Sequence, residues 1–273
     1  MRGFADKVAV VTGAGSGIGR ALALELGRSG AALAISDIDI NRLSETEDLL
    51  KSLGAPLHSA VVDVTRADDL LAYAAAVNDR FGTVNLIFNN AGVAFAGDIE
   101  SSQLTDIERV VNVNFWGVVN GTKAFLPHLI TSGDGHIVNI SSLFGLCAVP
   151  GQAAYIASKF AVRGFTEALR LEMVLAGRPI KVTAVHPGGI KTSLAHNAEG
   201  VPGFDKDAGI AVFEKVAITS AERAAQRILI GVRKNKARVL VGPDARALAF
   251  LVRLTGSGYL RLFAAGLSRR KPA

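Results

Sequence analysis

Seven short apolar runs alternate with helical patterns along most of the chain, and this alternation limits the folds open to it. The runs lie at 7–12, 32–36, 59–64, 84–88, 136–140, 180–185 and 237–241, with helical patterns between them near 17–29, 41–53, 67–81, 104–130, 153–176 and 221–233. The runs are β-branched and lack polar alternation, so each reads as a strand buried on both faces. Such strands separated by helices build a parallel sheet covered on either side. The expected fold is therefore α/β, one doubly wound domain with a seven-stranded parallel sheet. A chain of 273 residues, 49% hydrophobic and 20% charged, can fill one large core and is unlike a disordered segment.

Three segments follow. Residues 1–243 form the α/β domain. Within it, 187–218 reads as a long irregular loop rich in Gly and Pro, a common form of substrate lid. Residues 244–273 form a basic, apolar, helical extension in which two stretches flank Gly256-Ser257-Gly258. From Arg233 onward there are ten Lys or Arg and one acid, so residues 233–273 carry +9 and residues 1–232 carry −3, which together make the net +6. A basic tail on an acidic body does not support nucleic-acid binding. Asp6 and Lys7 interrupt the N-terminus before any apolar run, so it does not read as a signal peptide. No uninterrupted apolar stretch reaches eighteen residues, so no transmembrane span is expected. The single cysteine, Cys147, excludes a disulfide framework or zinc cluster and reads as a core residue of a cytoplasmic protein.

Residues 8–19 read Val-Ala-Val-Val-Thr-Gly-Ala-Gly-Ser-Gly-Ile-Gly. A buried strand ends at Thr12 and a helix begins near Gly17. Gly13, Gly17 and Gly19 let the backbone turn tightly and approach a diphosphate at the helix N-terminus. Asp37, at the end of the second strand, can accept hydrogen bonds from both adenosine ribose hydroxyls and would repel a 2′-phosphate. Neither Ser16 nor Ile38 is basic, so NAD is expected over NADP. Asp63 and Val64, closing the third strand, are placed for the adenine. Asn90, Ala91 and Gly92 end the fourth, with small residues where backbone passes close to the cofactor.

Tyr155 and Lys159 lie one turn apart on one face of the helix expected at 153–176. An ammonium beside a phenol favours the phenolate, which makes Tyr155 a candidate general acid or base. Together, Thr12-Gly13-x-x-x-Gly17-x-Gly19, Asp63, Asn89-Asn90-Ala91-Gly92, Asn114, Ser142, Tyr155-x-x-x-Lys159 and Pro187-Gly188 resemble the short-chain dehydrogenase/reductase family from about Lys7 to Gly242.

That resemblance implies a Rossmann-type domain, NAD(P) binding, hydride transfer at a carbonyl carbon, and a homo-oligomer, commonly a tetramer. It implies that Tyr155 exchanges the proton of the substrate oxygen. Lys159 would lower the Tyr155 pKa and hold the nicotinamide ribose, and Ser142 would bond the same oxygen. Asn114 would hold a water of a proton relay. Ser16, Ile18, Pro187, Gly188 and Ile190 are expected among the cofactor contacts, with Thr192 on the carboxamide. The expected activity is NAD-dependent oxidation of a secondary alcohol or reduction of its ketone. Phe204, Phe213, Phe250 and Phe263 in the lid and tail point to a hydrophobic substrate. The alternatives are an NADPH-dependent ketoreductase, a binding-only protein, or a tail that contacts membranes. His58, His128, His136, His186 and His196 show no metal spacing, with His196 favoured slightly by its place in the lid. Trp116 reads as packing, and Glu167, Arg170 and Glu172 as a helix edge. The tail's apolar residues, Leu248, Leu251, Val252, Leu260 and Phe263, are expected to be buried on the protein itself or on a subunit.

Overall fold

The computed structural model describes residues 3–194, 197–203 and 205–268. His196, Phe204, Arg269, Arg270 and Lys271 lie outside the described residues. Seven strands form one sheet: β1 (Val8–Thr12), β2 (Ala32–Asp37), β3 (Leu57–Val61), β4 (Leu86–Asn89), β5 (Gly135–Ile140), β6 (Ile180–Pro187) and β7 (Arg238–Val241). Every pairing is parallel, in the order β3-β2-β1-β4-β5-β6-β7. The order reverses between β1 and β4. In open α/β sheets the crevice beyond the strand ends at such a reversal is where ligands bind.

Successive side chains of a strand point to opposite faces, and both faces here are covered. Ala9, Val11, Leu33, Ile35, Leu86 and Phe88 pack with Leu22 and Leu26 of α1 (Gly17–Arg28) and Ile228 and Val232 of α8 (Ala221–Arg233). Val10, Ala34 and Ile87 pack on the other side. There they meet Leu70 and Val77 of α3 (Ala67–Phe81), Phe125 and Leu129 of α5 (Gly117–Thr131), and Leu169 and Met173 of α6 (Ala153–Leu175). This double burial is why the strands carry no polar alternation. α2 (Ile40–Ser52) is capped by Asp39, whose side chain accepts from the N–H groups of Asn41 and Arg42.

Three elements differ from the sequence reading. β3 ends at Val61 rather than 64, because its only neighbour, β2, stops pairing at Asp37 opposite Val61. The helix read across 104–130 is α4 (Leu104–Val111) and α5 joined by a π-turn at Asn112–Trp116. The region 187–218 is not wholly irregular. It holds short pairings of Ile190–Lys191 with Thr219–Ser220 and of Glu199–Gly200 with Phe95–Ala96, and then α7 (Lys206–Val216). Its glycines and prolines obscured that helix.

The extension forms α9 (Pro243–Thr255), a 3₁₀ turn at Gly256–Gly258, and α10 (Tyr259–Ser268). Ala245 and Tyr259 are buried against Leu143 and Cys147, with Leu248, Val252 and Phe263 packed around them. The Ala148 N–H donates to the Tyr259 hydroxyl at 3.0 Å. Leu260 departs from the expected burial and is half exposed.

Candidate active site

β1 ends in a turn whose backbone only glycine allows at two points. Gly13 has φ +64°, and a Cβ there would lie 2.7 Å from the Ala91 Cα. A Cβ on Gly19 would collide with the Gly13 carbonyl oxygen. The turn is held against the end of β4 by Thr12. Its hydroxyl accepts from the N–H groups of Asn90 (3.0 Å) and Ala91 (3.1 Å), while Asn90 Nδ2 donates to the carbonyls of Thr12 and Gly13. Thr12 opened the motif in the sequence, yet its clamping role was not read there.

The helix end beyond the turn is prepared for an anion. α1 has no acid in its first turn, and Ser16, its N-cap, makes no side-chain cap bond. Its first N–H groups therefore keep their donor capacity and the partial positive charge of the helix. The Ser16 hydroxyl instead accepts from Ser193 Oγ at 3.1 Å. Thr192 packs on Gly17, with its Cβ 3.1 Å from where a Gly17 Cβ would stand. Thr192 and Ser193 thus close over the glycine turn. Ile18 packs against the core beneath it, and Ile190 is buried in that core.

Asp37 turns its carboxylate towards this turn. Oδ2 accepts from the Gly15 N–H at 2.8 Å, and Oδ1 from the Asp39 N–H at 3.0 Å. Arg42 was missed by the sequence reading. It packs on Gly15 beside Asp37 and pairs with Asp39 at 3.2 Å. Asp63 Oδ1 accepts from the N–H and hydroxyl of Thr65, so this oxygen serves the turn beyond β3 rather than closing the strand. Val64 is buried against Gly117, and its carbonyl accepts from Asn120 Nδ2 at 3.1 Å.

The reacting groups meet at the ends of β5 and β6. Ser142 follows β5, and its hydroxyl accepts from the Phe144 N–H at 3.1 Å, which leaves its own proton to donate. Ser141, the alternative serine, is spent elsewhere: its hydroxyl donates to the Lys159 carbonyl at 2.8 Å. Tyr155 and Lys159 are both buried on the inner face of α6. Burial raises the Tyr155 pKa, and a hydrogen bond with Ser142 opposes that rise. Burial also pulls Lys159 down to about 8. The Lys159 ammonium stands 5.6 Å from the Tyr155 ring centroid and donates to the Ile140 carbonyl at 3.1 Å. Ser142 thus acts against burial on the phenol.

Asn114 sits in the π-turn, fully buried. Its Oδ1 accepts from the Val93 N–H at 2.8 Å, and its Nδ2 donates to the Val93 carbonyl and to Ser158 Oγ. Gly92 lies between it and Lys159: a Cβ there would stand 2.9 Å from Asn114 Oδ1 and 3.5 Å from Lys159 Nζ. A π-turn widens a helix by one residue and recurs at functional sites. Here it turns Asn114 inward.

Two further groups escaped the sequence. His186 is buried, with Nδ1 2.9 Å from the Ser142 carbonyl and Nε2 without a partner. Burial holds its pKa down at about 4. Asp244, the second residue of α9, accepts from the Gly189 N–H at 2.6 Å and packs on Gly188. The extension thereby clasps the Pro187-Gly188-Gly189 loop. Residues read as bland also shift. Trp116 is half exposed. Glu167 pairs with Arg163 and Arg238, and Arg170 donates to the Val182 carbonyl, so this edge of α6 ties down the sheet. Cys147 is fully buried, with its thiol pushed up to about 11. The described residues contain no cluster of His, Cys, Asp or Glu able to hold a metal.

Glycines that leave no room for a Cβ, an undecorated helix N-terminus, and a buried Ser-Tyr-Lys group at the switch point are together the features of a dinucleotide-dependent oxidoreductase. The short chain dehydrogenase profile matches residues 7–200, and this chain belongs to that family. The oxidoreductase SadH of Mycobacterium tuberculosis is 56% identical across 100% of this chain and 99% of its own length. Mouse estradiol 17-beta-dehydrogenase 11 is 30% identical over 96% of this chain and 84% of its own. A crystal structure of a short-chain dehydrogenase/reductase from Burkholderia phymatum in complex with NAD superposes with TM-score 0.87. It is 31% identical, covering 93% of this chain and 95% of that one. The protein is an oxidoreductase with a nicotinamide-binding Rossmann-type fold.

Proposed function

We propose that this protein oxidises a hydrophobic secondary alcohol with NAD, or reduces the matching ketone, using Tyr155 as general acid and base. The observation that carries the reading is the buried convergence of Ser142, Tyr155 and Lys159 beside the glycine cradle. The nicotinamide supplies the acceptor of a hydride in oxidation and its donor in reduction. The residues do the rest. Gly13, Ser16, Gly17, Ile18 and Gly19 would hold the diphosphate, Asp37 the adenosine ribose, and Asp63 and Val64 the adenine. Asn90, Ala91, Gly92, Pro187, Gly188, Ile190 and Thr192 would line the nicotinamide half.

In oxidation the Tyr155 phenolate takes the hydroxyl proton as the carbon loses its hydride, and the C–O bond becomes a carbonyl. In reduction the phenol returns that proton. Ser142 has an O–H to donate to the same oxygen, where charge develops. Lys159 has spent one donor on Ile140, so two remain for the ribose and for proton exchange. Asn114 keeps the Val93 loop and Gly92 in place beside that ammonium.

Asp37 supports NAD, since its carboxylate lies against the glycine turn and would repel a 2′-phosphate there. Arg42 beside it supports the NADPH-dependent ketoreductase reading, because a guanidinium could meet a 2′-phosphate. The apolar side chains around the site, and the hydrophobic substrate in the name of the mouse relative, support a hydrophobic alcohol. Trp116, Phe160, Leu171, Val174 and Leu175 are exposed on neighbouring helices, which supports a homo-oligomer, and the lone buried thiol suits a cytoplasmic setting. The test is a panel of hydrophobic secondary alcohols with NAD and with NADP, read by absorbance of the reduced nicotinamide. Turnover of the panel with NAD supports the reading. Turnover confined to NADP selects the ketoreductase.

A further inference from the structure

The inner faces of α9 and α10 are spent on the catalytic domain, but their outer faces are not. Residues of a helix advance by 100° each, so Phe250 and Leu254 share a face opposite Ala245, Leu248 and Val252. Phe250 is 63% and Leu254 68% exposed. Arg246 and Arg253, one further side of the same turns, flank that stripe and have no ion-pair partner among the described residues. α10 adds exposed Leu260 and Leu262 on either side of Arg261. Beside the stripe lies a cavity of about 520 Å³, with an apolar floor of Leu146, Leu240 and Val252 and a rim of Arg238, Arg246 and Arg253.

We propose that this outer face docks the protein on an anionic membrane surface. Soluble proteins seldom leave a contiguous apolar patch of this kind in water. An apolar stripe flanked by arginines is the composition that seats a helix at the boundary of headgroups and acyl chains. By length and composition Pro243–Ala265 could even cross a membrane. Two features make it lie on the surface instead. Its inner side is already packed on Leu143 and Cys147, and the run is broken at Gly256–Gly258. The charge also selects among occupants. A two-fold contact centred on this face would gather Arg246 and Arg253 of both copies at one interface, while Glu167 nearby is already paired with Arg163 and Arg238. Headgroup phosphates offset those charges. The sequence then continues into Arg269, Arg270 and Lys271, which adds to the same sign.

The docking is independent of the reaction and is read without turnover. The full chain is floated with vesicles of phosphatidylcholine alone and of phosphatidylcholine with phosphatidylglycerol, at low and high salt. Binding is expected on the anionic vesicles only, weakening with salt. Arg246→Gln with Arg253→Gln should weaken it about 30-fold, at about 1 kcal/mol per arginine near a charged leaflet. Phe250→Ser with Leu254→Ser should weaken it further, with melting temperature and nicotinamide binding unchanged as proof of folding. Absence of binding by the unmodified chain, equal binding to both vesicles, or retention of binding by both variants overturns the proposal. Light scattering supplies one more contrary outcome: a dimer that dissociates in the serine variant without any lipid binding would assign the face to a second copy.

Discussion

Asn114→Ala tests whether the π-turn is there to hold the cofactor-side loop. The native amide satisfies both backbone groups of Val93, with Oδ1 accepting at 2.8 Å and Nδ2 donating at 3.0 Å. Alanine leaves the Val93 N–H and carbonyl without partners, at about 1–3 kcal/mol for each buried group left unpaired. Ser158 loses a donor but still gives its own proton to the Tyr155 carbonyl. The expected destabilisation is about 2–6 kcal/mol. For a chain of this size each kcal/mol moves the melting temperature by about 2–4 °C, so a drop of about 4–24 °C is expected. Asn114→Asp keeps the acceptor for the Val93 N–H and should fall between alanine and the unmodified protein. Thermal unfolding of the three proteins, with turnover measured alongside, decides the matter. An alanine variant within about 2 °C of the unmodified protein, whatever its activity, would refute the idea that this side chain holds the loop.

Other predictions are independent of that one. NAD should bind more tightly than NADP, and Asp37→Ala with Ile38→Arg should reverse the order; equal affinity for both cofactors in the unmodified protein would mean that Arg42 outweighs Asp37. Burial holds His136 at about 3 and His186 at about 4, below the value of about 6.5 expected in the unfolded chain. The unfolded state therefore binds more protons across this window, and stability present above about 6.5 is lost as pH falls towards those values. His186→Gln should flatten the stability slope between pH 6.5 and 4 by about one proton, about 1.4 kcal/mol per pH unit, in urea unfolding; an unchanged slope excludes His186 as its source. Tyr259→Phe removes the acceptor of the Ala148 N–H and should cost about 1–3 kcal/mol while sparing cofactor affinity. A melting temperature equal to that of the unmodified protein would show that the tail is not anchored there.

How legible the fold and site were depended on how local each determinant is. β1, α1 and the glycines between them are local: strand pattern, breaker and helix start follow each other within twelve residues. The Tyr155-Lys159 pair is local too, since helical spacing alone puts both on one face. The expectation of Ser142 came from the resemblance alone; that the neighbouring Ser141 donates to the Lys159 carbonyl is visible only in the fold. What stayed hidden is set by tertiary contact. Nothing in the run 104–130 marks a π-turn, because a buried Asn is recognisable only once Val93 is seen against it. Arg42, His186 and Asp244 each touch a group distant in sequence, namely Gly15, the Ser142 carbonyl and Gly189, and their side chains are common on strands, caps and first turns. α7 lay among glycines and prolines that ordinarily signal a loop. The burial of Tyr155 and Lys159 was equally invisible, and it changes the electrostatics: desolvation, rather than the ammonium, sets the direction of the phenol's shift.

The most direct test is Tyr155→Phe, which removes one oxygen and leaves the ring that packs on Phe144 at 6.4 Å. Turnover of an alcohol that the unmodified protein oxidises should fall about 10²–10⁴-fold, the contribution of one positioned acid or base, while nicotinamide affinity stays unchanged in titration. Near-normal turnover by the phenylalanine variant would contradict the assignment of the proton transfer to Tyr155.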